Sequence, residues 1–139
     1  MVIDHIGIVV RSLEEGIRQW EEMFGYRRIS PIVINTRQKV RVVFLSKENS
    51  ILVKLVESTD PASGVSAMAR RGGGLHHLCL RCDSLSDTIP FLSEAGARFI
   101  VPPEPGEAFC NRDIAFFISP GNLNFELIDS TEKVLLPSL

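Results

Sequence analysis

Ile3-Asp4-His5-Ile6-Gly7-Ile8 and Leu75-His76-His77-Leu78-Cys79-Leu80 are two largely apolar stretches 72 positions apart, each with a histidine at its third residue. The same offset lays Ser12-Leu13 on Ser84-Leu85 and Ile17 on Ile89. It lays Val43-Phe44-Leu45 on Ala115-Phe116-Phe117, and Val53-Lys54-Leu55-Val56 on Phe125-Glu126-Leu127-Ile128. Matches recurring in one register, one of them placing His on His, mark two copies of one module.

Each copy carries the same order of elements. The apolar run 2–10 reads as a strand, and Ser12 with Glu15 three residues later forms a capping box for the helix that follows. Leu13, Ile17, Trp20 and Phe24 recur at helical spacing while glutamates fill the other face, and Gly25 is a C-cap. Three β-rich stretches follow at about 26–35, 39–46 and 50–57, so the module is βαβββ. The second copy predicts a strand at 75–82, a helix at 85–95 that tolerates Pro90 near its first turns, and strands at 98–101, 114–119 and 123–129. The proline-rich segment 102–106 reads as a loop at the mouth of a cleft. Between the copies, 62–71 is expected as a short helix and Gly72-Gly73-Gly74 as a flexible re-entry. The result is a single α+β domain: module 1 at 1–57, a linker at 58–73, module 2 at 74–130 and a tail at 131–139.

Composition narrows the partners. The 139 residues are 45% hydrophobic and 23% charged, which suits a packed core and excludes disorder by composition. A net charge of −2 argues against a dedicated nucleic-acid binder. No apolar run is long enough to cross a bilayer, and Met1–His5 has no basic flank before an apolar stretch, so neither a membrane span nor a signal peptide is expected. Three cysteines, Cys79, Cys82 and Cys110, read as reduced thiols of a cytoplasmic protein. Cys79 and Cys82 fall on opposite faces of a strand and cannot share one zinc. Gly72-Gly73-Gly74 is no phosphate loop, because a strand follows it and no Lys-Ser/Thr pair is present.

Alternate residues of a strand share a face, so pairing the two modules about a pseudo-twofold axis brings four positions together: His5, Lys54, His77 and Glu126. Three of them are metal-ligand or acid–base types. Glu126 and Lys54 are the candidate catalytic groups, Lys54 as a base, as a clamp on a substrate carboxylate, or as an inward cation paired with Glu126. Arg37 and Arg41, with Arg27, Arg28 and Lys39, form a basic cluster suited to an anionic substrate or to a solvated sheet surface. Cys79 shares parity with His77 and is a candidate to line the site or to pack beneath it.

Asp4-His5-Ile6-Gly7-Ile8 before a capped helix, Gly74-Leu75-His76-His77-Leu78, and Asn124-Phe125-Glu126-Leu127 resemble the vicinal oxygen chelate superfamily. This is the fold of glyoxalase I, type I extradiol dioxygenases, fosfomycin and bleomycin resistance proteins, and methylmalonyl-CoA epimerase. The resemblance spans residues 1 to about 130. Val40-Arg41-Val42-Val43-Phe44-Leu45, Lys54-Leu55-Val56-Glu57-Ser58 and Ala95-Gly96-Ala97-Arg98 point to the methylmalonyl-CoA epimerase-like branch. It implies a sheet-lined cleft, a homodimer, and a divalent ion (Co, Ni, Zn, Mn or Fe) on His5, His77 and Glu126, with His76 turned to the opposite face. It also implies lyase or isomerase chemistry on a small acyl or oxo substrate such as a CoA thioester.

Two positions depart from that branch. Lys54 stands where a Gln or Glu would complete the ligand set, and an ammonium has three donors and no lone pair. Arg37 matches the place of a second catalytic glutamate, so the usual pair of carboxylates about an acidic C–H is incomplete. Three functions stay open on these residues: a metal-dependent enzyme polarising a carbonyl or enolate, a metal-free binding protein of the bleomycin-resistance kind, and an Fe(II) extradiol-type dioxygenase.

Overall fold

The computed structural model describes residues 1–137, so the last two positions of the expected tail lie outside the described residues. Strand β1 (Val2–Val9) leads into helix α1 (Leu13–Phe24), then β2 (Arg27–Arg28), β3 (Val33–Asn35), β4 (Val40–Ser46) and β5 (Leu52–Ser58). Helix α2 (Ser66–Arg70) joins this half to β6 (Gly74–Arg81), α3 (Leu85–Glu94), β7 (Arg98–Gly106), a 3-10 turn at Glu107–Phe109, β8 (Arg112–Ile118) and β9 (Asn124–Ile128). The described strands form one mixed sheet in the order β2-β4-β5-β1-β6-β9-β8-β7, with β3 also on β4.

The repeat is visible bond by bond. β1 pairs parallel with β5, and β6 parallel with β9. Val10 N–H donates to the Val56 carbonyl and Cys82 N–H to the Ile128 carbonyl, both at 2.9 Å. Each long helix starts on a serine whose Oγ accepts from the third residue on, Ser12 from Glu15 N–H and Ser84 from Asp87 N–H, both at 3.3 Å. Each is also held by a carboxylate from the end of its module: Leu13 N–H donates to Glu57 at 2.6 Å and Leu85 N–H to Asp129 at 3.0 Å. The two β1–β6 pairs His5 with Cys79 and Gly7 with His77 exchange under the 72-residue offset, which places a pseudo-twofold axis between these central strands.

The core follows from strand alternation. Leu13, Val43, Leu45, Val53 and Leu55 pack beneath α1, and Leu85, Ala115, Phe117, Phe125 and Leu127 occupy the matching places beneath α3. Intervening side chains face the other way, where Val42, Phe44, Val56, Cys79, Phe109, Ile114, Phe116 and Ile128 form a second layer of core. The central strands are thus buried on both faces, and the polar groups of the second face are enclosed within that layer.

Three expectations are corrected. The stretch 26–35 breaks into β2 and β3 around Ser30-Pro31-Ile32, where Pro31 has no N–H for the ladder. The segment 102–106 is not a loop: β7 continues through it to Gly106, paired to β8 with two register shifts. β7 is the edge of the sheet, where prolines lose no ladder bond on the open side. The linker helix is shorter than 62–71, spanning Ser66–Arg70. Pro90 is accommodated inside α3 at the cost of one i→i−4 bond.

Candidate active site

The site is organised by two β-bulges. The β1–β6 register steps from Ile3↔Leu80 to His5↔Cys79 and from Gly7↔His77 to Ile8↔Leu75. Asp4 and His76 are the extra residues, and they are equivalent under the repeat. A bulge re-aims the side chain it carries. His76 therefore does not turn to the opposite face as the sequence implied: its Nδ1 lies 2.8 Å from Nδ1 of His77. Asp4 swings beside His5 in the same way, with Oδ2 2.7 Å from His5 Nδ1. His77 can lie across β1 because residue 7 is glycine; a Cβ there would fall inside the imidazole ring.

The four positions predicted to converge do so. Glu126 is fully buried, and its Oε1 is the common point: Lys54 Nζ donates to it at 2.9 Å and His5 Nε2 lies 3.0 Å away. His77 Nε2 is 3.3 Å from the same oxygen, in a geometry that makes no hydrogen bond. Glu126 Oε2 and His77 Nε2 are both buried without a hydrogen-bond partner among the described residues. Lys54 is itself buried, its Nζ 5.3 Å and 5.9 Å from the ring centres of Phe109 and Phe116. Burial alone would raise the Glu126 carboxyl, but the Lys54 charge and contacts from the two histidines hold it well below the usual range, so it is ionised. Burial pushes His77 down to about 4, aided by the Lys54 charge and opposed by Glu126, so its ring is neutral at pH 7.

Asp4 is fixed from behind. Its Oδ1 accepts from Arg81 at 2.8 Å and from Lys133 at 3.0 Å, and Lys133 also lies 3.0 Å from Oδ2. Lys133 belongs to the tail, which crosses back with Val134 N–H on the Ala108 carbonyl and Leu136 N–H on the Ile29 carbonyl. Burial would raise the Asp4 carboxyl, yet the hydrogen bond from His5 and the Lys133 charge hold it at about 2. An ionised carboxylate only accepts, so Nδ1 of His5 donates to Asp4, and Nε2 is the atom His5 turns toward Glu126.

By type these donors suit a divalent first-row ion, which would have to share Glu126 with the Lys54 ammonium. One ligand atom each from His5, His77 and Glu126 lie within 4.8 Å of one another. A carboxylate behind a histidine, fixing its tautomer, is the usual support of a ligating imidazole. Two neutral imidazoles with one carboxylate is a set such ions accept.

A cavity of about 520 Å³ opens onto this cluster. Lys54, His76, His77 and Phe116 form part of its wall, with Arg37 and Lys39 on one side and Ile100, Val101 and Glu104 of β7 on another. Arg37 lines the cavity. Arg41 does not: its guanidinium is held by Glu57 at 2.9 Å and Glu14 at 3.0 Å. Cys79 does not either, because it is fully buried in the core beside His5, where burial pushes its thiol far up. His5 and Glu126 stand behind Lys54 and His77 rather than on the wall. Sequence reasoning missed Glu104, the only carboxylate among the cavity's described lining residues, because its segment read as a loop. It also missed Asp4, Arg81 and Lys133; the adjacency of Asp4 to His5 was the one available signal.

Fold and site together define a class. A profile of the Glyoxalase/Bleomycin resistance protein/Dioxygenase superfamily matches residues 4–116, and the chain belongs to that superfamily. An uncharacterized protein of Bacillus subtilis, YqjC, is 30% identical over 131 residues, covering 94% of this chain and 91% of its own. The mitochondrial methylmalonyl-CoA epimerase of Dictyostelium discoideum is 25% identical, covering 94% and 78%. The crystal structure of methylmalonyl-CoA epimerase from Mycobacterium tuberculosis superposes with a TM-score of 0.80 at 25% identity, covering 93% of this chain and 87% of that one.

Proposed function

We propose that this chain is a cytoplasmic, homodimeric enzyme that binds a small anionic acyl substrate, in the first instance a malonyl-type CoA thioester, and stabilises the enolate formed when its α-proton is removed. The observation that carries the reading is the inner end of the cavity, where Lys54 and His77 meet a buried, ionised Glu126 while Glu104 stands on the wall without an ion pair or hydrogen bond among the described residues. The names of the methylmalonyl-CoA epimerase relatives support the substrate class.

His5, His77 and Glu126 would hold a divalent ion, which would act as a Lewis acid toward the developing oxyanion. The protein's own groups do the rest. Arg37 and Lys39 draw the anionic substrate to the mouth. Apolar Val40, Val42, Val56 and Phe116 exclude water from the reacting carbon and strengthen the charge interactions there. Glu104 takes the α-proton, in place of the glutamate whose position is held by Arg37. Asp4 keeps His5 oriented throughout.

The test is deuterium uptake at the α-carbon of methylmalonyl-CoA and ethylmalonyl-CoA in D2O, measured both in EDTA and at saturating Co2+. Exchange that Glu104→Gln slows by about a hundredfold or more supports the reading. Binding without exchange would favour a non-catalytic binding protein. Oxygen uptake with catechols and Fe(II) would favour a dioxygenase.

A further inference from the structure

We infer that Lys54 is the resident cation of this site: it neutralises Glu126, stands with His77 between the His5–Glu126 pair and the cavity, and is the buried positive charge that an entering substrate oxygen meets. The inference rests on the functional reading above and gives the oxyanion its partner within the chain.

Glu126 is fully enclosed, and a buried carboxylate needs a compensating cation. His77 Nε2 makes no hydrogen bond to Glu126, and the Asp4 carboxylate already answers Lys133 and Arg81. Lys54 alone among the described lysines and arginines reaches Glu126, at 2.9 Å. Once that pair exists, the four-residue cluster carries no net negative charge to attract a dication, and its oxygen nearest the histidines is already shared with an ammonium. Lys54 is on the cavity wall, whereas Glu126 and His5 are not. A carbonyl or carboxylate oxygen arriving at the inner end meets Nζ and the His77 ring first. An ammonium has three N–H groups, and one is directed at Glu126, which leaves donors for a substrate oxygen. The rings of Phe109 and Phe116 beside Nζ offer no lone pair to a metal ion but tolerate a cation. An ion on the three donors would have to share Glu126 with Lys54.

The test compares the wild-type chain with Lys54→Gln and the double variant Lys54→Gln/Glu126→Gln, using Co2+ alone as the metal probe. Wild type is expected to keep its Tm in EDTA and to bind Co2+ weakly. Lys54→Gln is expected to lose Tm in EDTA, recover it with Co2+, and bind the ion about ten- to a hundredfold more tightly. The double variant, which carries neither charge, is expected to regain the wild-type Tm in EDTA without Co2+. Co2+ affinity equal in wild type and Lys54→Gln overturns the inference. So does a wild-type Tm that falls in EDTA, or a double variant as unstable as the single. Failure of the functional reading has a different signature: no α-proton exchange in any variant while the Co2+ and Tm pattern holds.

Discussion

The two modules share their inner ladders and helix N-caps and diverge in charge. Helix caps, ladder registers and the layers under α1 and α3 correspond residue for residue. At the inner positions the partners differ: Lys54 against Glu126, Asp4 against His76, Gly7 against Cys79. His5 is backed by an ionised carboxylate tied to two cations, and His77 by a second imidazole. Repetition is thus kept where it builds the frame and abandoned where the two halves meet. A symmetric set of four like residues would concentrate one sign of charge in a dry interior. Splitting the roles lets one half neutralise the other.

Exchanging charges between modules strains this comparison most. Lys54→Glu or Glu126→Lys alone puts like charges together in the interior and is expected to cost about 3–5 kcal/mol or more in chelator. The double exchange is expected to recover most of that loss, as chemical denaturation would report. A double variant no better than the singles would mean that the two positions are not equivalent in their surroundings.

Acid should find the second module first. His77 is held at about 4 against an ordinary 6.5, so between these values the unfolded chain takes up a proton that the folded chain refuses. Stability in chelator is therefore complete above pH 6.5 and falls by about 3 kcal/mol as pH drops to 4. Asp4, held at about 2, adds its own loss only below 3.8, so module 1 follows. His77→Gln is expected to flatten the upper step in a pH series of urea melts and leave the lower one.

Glycine against cysteine is a smaller contrast. Gly7→Ala drives a methyl into the His77 ring and should destabilise by about 1–3 kcal/mol while displacing His77. Cys79→Ala, at the equivalent position, is expected to cost less and to leave His5 in place, which histidine NMR shifts would show. Smallest and most alike are the caps. Glu57→Ala and Asp129→Ala each remove a carboxylate from a helix N-terminus, with losses of about 1 kcal/mol apiece by thermal melts. The Glu57 change should be the larger, since it also frees Arg41.

Most of the frame was legible because periodicity and a constant offset report it. The meeting of His5, Lys54, His77 and Glu126 followed from the same offset. What escaped was local irregularity. A bulge adds one residue to one strand and leaves no mark in an apolar pattern, so Asp4 went unread and His76 was misplaced. β7 was cut short because three prolines outweighed its place at the edge. Lys133 lies in the tail, with no counterpart in module 1, and nothing in its neighbours announces Asp4. That Lys54 would stand in front of Glu126, and not merely beside it, depends on depth, which a linear pattern does not encode.

The tail also bears on the order in which the molecule can be made. Asp4 and Lys133 are 129 positions apart, and His5 and Glu126 are 121 apart. On a ribosome the first module emerges with its histidine early, while the groups that settle it, Glu126 and Lys133, follow 121 to 129 residues later. Closure of so long a loop is slow. A finished site is therefore a record that synthesis has passed residue 133, and a fragment stopped before that residue should fail first at His5.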